Sequence, residues 1–160
     1  MPVIDAKVYV AAIQLMNRTN IRVSDLELTA DSGEPNDEDA RLYRYGVWIV
    51  LDQTGDYEHI RLKNLYIHHI FASESRTDRE SPCGESNQGY GIMYTNKSGD
   101  ASMKNLTIEN CNIEMTGRDG LRIRSRNPKL MEIVCQTEIA FELGYLTKDA
   151  FENISKKAKN

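Results

Sequence analysis

Cysteine is scarce in this chain: three residues in 160, Cys83, Cys111 and Cys135, at wide spacing. That odd, scattered set supplies neither a disulfide framework nor the paired CxxC ligands of a structural zinc site. No apolar run approaches the ~18 residues of a membrane span, and no charged segment followed by an apolar one opens the chain as a secretion signal. An excess of positive charge is missing too. Twenty Lys and Arg stand against 24 Asp and Glu, a net charge of −4, whereas the footprint of a nucleic-acid binder is basic. Neither nucleic acid nor membrane is therefore expected as a partner. What remains is one domain's worth of globular sequence, 40% hydrophobic, with ten glycines and four prolines, long enough to bury a core.

Against these absences stands a repeat. Ile21-Arg-Val-Ser-Asp-Leu-Glu-Leu-Thr29, Ile60-Arg-Leu-Lys-Asn-Leu-Tyr-Ile-His68 and Leu106-Thr-Ile-Glu-Asn-Cys-Asn-Ile-Glu114 align without gaps. Each follows a second recurring segment: Ala12-Ile-Gln-Leu15, Gly46-Val-Trp-Ile49 and Gly91-Ile-Met-Tyr94, with a fourth copy at Gly120-Leu-Arg-Ile-Arg124. Within each segment apolar residues alternate, the period of a strand with one buried face. The alternation slips by one residue at Asp25, Asn64 and Asn110. A slip of that kind needs a bend, and Asn and Asp tolerate the left-handed backbone of a tight bend. Stacked one per turn, these three side chains are expected to bond to one another as a ladder. The bend positions lie 39 and 46 residues apart because loops are inserted, Asp31 to Arg44 and Ser73 to Gly89. In solenoids such insertions gather on one side, often the binding side.

This pattern, over residues ~10–127, resembles the right-handed parallel β-helix, the fold of pectate lyases and their relatives. The resemblance implies an all-β, single-stranded solenoid of about 3–4 turns over 1–127, and an extracellular or periplasmic setting. An antiparallel sandwich would not repeat the bend position, and a propeller would space its blades more evenly. Full catalytic domains of that family are longer, so further turns missing from this chain are expected. After Asn127-Pro128 the spacing becomes helical: Leu130, Ile133, Val134, Thr137, Ile139, Ala140 and Leu143 form a stripe. Gly144 and Thr147 suit a helix stop and a new cap. A C-terminal helical hairpin over 128–160 is thus expected, covering the open end of the solenoid. The string Thr137-Glu-Ile-Ala-Phe-Glu-Leu-Gly-Tyr-Leu-Thr-Lys-Asp-Ala-Phe151 also resembles the end of a small four-helix-bundle family. That second resemblance implies no function.

The first resemblance places a saccharide groove over the outer face of the first strand of each turn. By the pleat, Ile13, Val47, Ile92 and Leu121 point in, so Gln14, Trp48, Met93 and Arg122 point out. Met16, Val50, Thr95 and Arg124 form the next outward row, and Tyr45, Tyr90 and Asp119 stand just before the strands. Trp48, Tyr45 and Tyr90, with Gln14, offer a surface on which sugar rings stack; the plain alternative is packing beneath the long loops. Arg122, Arg124 and Arg126 share one pleat face, where guanidinium groups neutralise a uronic-acid carboxylate and ease removal of the adjacent proton. Asp119-Gly120 is similar to the Asp-Gly of β-helix hydrolases acting on pectin, and it is equally an ordinary turn signal. His68 and Glu114 fall in one outward row on successive turns, a couple able to exchange a proton or simply to hold a loop base. Lys63 and Glu109 match as a plain surface ion pair. Cys111 falls at an inward position. No cofactor is required; the acidic stretch Asp31, Glu34, Asp37, Glu38 and Asp39 leaves Ca²⁺, a frequent partner of this family, open. The function implied is that of a polysaccharide lyase or glycoside hydrolase acting on or binding an acidic polysaccharide. A non-catalytic binding or adhesion module, or an inactive fragment, is the alternative.

Overall fold

The alternating segments become strands throughout residues 1–30, 43–72, 88–125 and 131–136, which the computed structural model describes. Twelve strands and no helix occur among them: β1 (Val3–Asp5), β2 (Ala11–Met16), β3 (Ile21–Ser24), β4 (Glu27–Ala30), β5 (Tyr43–Leu51) and β6 (Gly55–Lys63). Then come β7 (Tyr66–Ile70), β8 (Gln88–Asn96), β9 (Ala101–Glu109), β10 (Asn112–Ile113), β11 (Asp119–Ser125) and β12 (Met131–Gln136). They form three sheets of four strands: a first sheet β1-β4-β7-β10, a second β2-β5-β8-β11 and a third β3-β6-β9-β12. All pairings are parallel, and each strand bonds to the strand three places later. The chain therefore visits the sheets in rotation, three strands to a circuit.

Register follows the repeat residue for residue. Ile21, Ile60 and Leu106 are paired partners in the third sheet, and Ile13, Val47, Ile92 and Leu121 in the second. Their side chains, with Leu28, Ile49, Leu51, Leu62, Ile67, Tyr94, Met103, Ile108 and Cys111, belong to one core. Each fully buried aliphatic side chain there contributes about 1.5–3 kcal/mol from burial.

The bends form as the alternation requires. Asp25, Asn64 and Asn110 have φ of 62°, 52° and 48°, the left-handed region. Asn64 Nδ2 donates to Asp25 Oδ1 at 2.9 Å, and Asn110 Nδ2 donates to Asn64 Oδ1 at 2.7 Å. The Asn64 amide, and after it the Ser24 side chain, hold the Asp25 carboxyl below the usual range. Two further files of left-handed residues occur, one with Asn at two of its three places and one with neither Asn nor Asp. Asn20, His59 and Asn105 bend the third sheet at φ of 57°, 58° and 54°, and His69 and Met115 bend the first at 52° and 48°. Each lets two inward residues stand three apart: Met103 with Leu106, and Ile67 with Ile70, all buried.

Glycine stands at a close approach within the strands of the second sheet. A Cβ on Gly46 would lie 2.4 Å from Ile67 Cγ2 and 2.6 Å from the Gly91 carbonyl oxygen. At Gly91 the corresponding distances are 2.4 Å to Ile113 Cγ2 and 2.5 Å to the Gly120 carbonyl oxygen. Only glycine lets successive circuits approach this closely.

The C-terminal reading needs correction. Residues 131–136, expected as helix, are strand β12, so the third sheet runs past the expected boundary at 127. Met131, Ile133 and Cys135 also alternate, and they pair with Met103, Leu106 and Ile108 of β9. An available sheet edge, with its row of backbone donors and acceptors, overrides a local helical spacing. The rest of the expected hairpin, 137–160, lies outside the described residues.

Candidate functional site

On the second sheet the outward files stand where the pleat puts them. Gln14, Trp48, Met93 and Arg122 are in register, as are Met16, Val50, Thr95 and Arg124. Tyr45, Tyr90 and Asp119 form a third file, inside the strands and not before them. The aromatic file is closed, however. Tyr45, Tyr90 and Met93 are buried as a second cluster, with Trp48 half-buried against it. Ring centroids are 4.7 Å apart for Tyr45 and Trp48, and 5.5 Å for Tyr45 and Tyr90. The tyrosine rings stack on protein, so they present no open platform. Burial pushes the Tyr90 phenol up, against the opposing pull of Arg118 and Arg122. Trp48 Nε1 donates to Thr95 Oγ1 at 3.4 Å, and Lys97 Nζ lies 5.8 Å from its ring.

The ends of these files are more open. Gln14 and Met16 are exposed at one end, Arg124 at the other. Arg122 donates to Asp119 Oδ2 at 3.0 Å and lies 5.5 Å from the Tyr90 ring. Arg118 adds a bond to Gln88 Oε1 at 3.0 Å. Asp119 is thus a buried carboxylate committed to a guanidinium. Arg124 makes no ion pair among the described residues. Arg126 and the acidic stretch from Asp31 lie outside them.

The first sheet brings His68 and Glu114 into one file but does not couple them. His68 Nε2 pairs with Glu27 Oε1 at 3.1 Å, one circuit back on a diagonal. Glu114 Oε1 instead accepts the Tyr66 hydroxyl at 2.6 Å. Tyr66 decides this arrangement: its ring stacks on His68 at 4.2 Å and its longer arm reaches Glu114 first. The bond to Glu114 raises the Tyr66 phenol above its ordinary value, with desolvation adding to it. His68 Nδ1 meets His69 Nδ1 at 2.6 Å, so one imidazole donates to the other.

The third sheet carries a groove that lies apart from the site residues expected from the sequence. About 360 Å³ in volume, it is lined by Asn20, Ile21, Arg22, His59, Arg61, Asn105 and Thr107. Arg22 and Arg61 are register partners on adjacent strands, about 4.8 Å apart at the backbone. The bend at Asn20, His59 and Asn105 forms the rim. Arg61 Nη2 and Lys63 Nζ share Glu109 Oε1 at 2.7 and 2.8 Å. Lys63 first, then Arg61, holds the Glu109 carboxyl below its usual range. The expected Lys63–Glu109 pair is therefore present, widened to three groups. The signal for the groove was the Arg that follows both Ile21 and Ile60 in the aligned repeat.

No three His, Cys, Asp or Glu side chains among the described residues gather as a metal site. Comparison with protein-family models, with curated proteins and with solved structures finds no match to this chain.

Proposed function

We propose that the chain is a stretch of right-handed parallel β-helix, of the pectate-lyase-like kind, that binds an acidic polysaccharide at the arginine end of its second sheet's outer face, beside the closed aromatic file. The observation that carries this is the file geometry. Arg122 ends the row that leads back through Met93 and Trp48 to Gln14, and Arg124 ends the neighbouring row through Thr95 and Val50 to Met16, so two guanidinium groups stand on one face. Rows repeating at about 4.8 Å suit a polymer of regularly spaced rings and charges. Two guanidinium groups match planar carboxylates with paired hydrogen bonds. Such polymers are met outside the cell, which is where this reading places the protein.

One observation favours binding without hydrolysis. Hydrolysis by two carboxyl groups needs them roughly 5–9.5 Å apart. In these three files the carboxylate among the described residues is Asp119, and Arg122 already holds it. Titration calorimetry with polygalacturonate and with neutral dextran tests the proposal. The protein should bind the first and not the second, and Arg124→Ala should weaken binding about tenfold, the cost of one charge-assisted bond. Absence of binding to polygalacturonate and to alginate removes the proposal. New reducing ends without the unsaturated uronate that elimination leaves would return hydrolysis to it.

A further inference from the structure

We propose that the groove on the third sheet is a second carboxylate site, gripping uronic-acid units through Arg22 and Arg61. The inference rests on the acidic-polymer reading above but concerns a different face. Arg22 is exposed and makes no ion pair among the described residues, while its register partner Arg61 is exposed one strand away. Arg61 spends Nη2 on Glu109, so a carboxylate seated between the two takes bonds from the Arg22 guanidinium and from the Arg61 nitrogens that Glu109 leaves over.

The groups around the groove complete a sugar site. Asn20 and Asn105 are exposed on the left-handed bend, and their amides present donors and acceptors suited to hydroxyls. His59 stands between them, its Nδ1 3.4 Å from Asn105 Nδ2 and its Nε2 3.6 Å from Glu58 Oε2. Thr107 continues the arginine file and adds a hydroxyl. The neighbouring acids are occupied. Glu109 is shared by Arg61 and Lys63, Asp25 accepts from Asn64, and Glu58 faces His59. The depression is shallow and open to solvent, about 360 Å³ in volume, so a ring rests against the arginines and is not enclosed.

Calorimetry on the full chain tests the site, with polygalacturonate oligomers, dextran sulfate and neutral dextran as probes. Arg22→Gln combined with Arg61→Gln should weaken polygalacturonate binding about tenfold, with the melting temperature held. Lys104→Gln, an exposed charge on the same sheet outside the groove lining, should leave affinity unchanged. Unaltered affinity in the double variant overturns the groove while the second-sheet reading stands. No binding by the unaltered protein ends both. An equal loss from Lys104→Gln means diffuse charge and overturns the site. A loss confined to dextran sulfate overturns the carboxylate assignment.

Discussion

The outer faces of the second and third sheets are built from the same repeat, yet one is closed and the other open. On the second, Tyr45, Tyr90 and Met93 sit 7%, 4% and 4% exposed, and the rings of Tyr45 and Tyr90 stack across adjacent strands. On the third, Arg22, His59, Arg61 and Asn105 stand exposed around a groove. In-register stacking multiplies whatever a position holds. An apolar file condenses with itself, whereas guanidinium groups in file repel each other and stay at the surface, Arg61 neutralised by Glu109 and Arg22 without an ion-pair partner among the described residues. Aromatic content alone therefore marks a packed file as readily as a binding surface.

The sharpest break of this contrast is Tyr90→Ala. Removing a buried aromatic should cost about 3–5 kcal/mol, read as a lower urea midpoint. A loss under about 1 kcal/mol would mean that the aromatic file is not packed as described. Behind that face, burial pushes the Tyr94 phenol up to about 12. In the unfolded chain a tyrosine ionises near 10. Its folded value is raised, so the stability it contributes is complete below about pH 10 and declines as pH rises towards about 12, by roughly 2–3 kcal/mol in all. Alkaline denaturation of Tyr94→Phe should lack that decline; parallel curves would refute it. At the small end, Arg22→Gln should shift stability by no more than ~0.5 kcal/mol, since it trims an exposed side chain with no ion-pair partner. A larger loss in a urea titration would show that the third face is structural after all.

Much of this was legible in the sequence, and the misses have physical causes. The register of the sheets, the Asp25–Asn64–Asn110 ladder and the outward files all follow from alternation that slips at an Asn or Asp. The bends at Asn20, His59 and Asn105 and at His69 with Met115 fall outside the aligned segments' Asn or Asp position, and no single residue type runs the length of either file, although Asn and His both favour left-handed backbone. His68 was placed in the right file and given the wrong partner, because alternation fixes a face but not which neighbour a rotamer reaches. Residues 131–136 satisfy both a helical and a strand period, and their pairing with β9 resolves the choice. Burial of Tyr45 and Tyr90 was open in principle, since a pleat tells which way a ring points and not what lies over it.

Strict pairing of Tyr45 with Tyr90 makes length on this molecule a discrete quantity. Excising Gly46 through Tyr90 joins Tyr45 to Gly91 at equivalent places and deletes one rung. The span from Gln14 to Arg122 then shrinks from three inter-strand steps to two, about 4.8 Å each. Surviving side chains keep their aim. The stack is thus shortened or extended by whole increments, with the register of the remaining strands kept.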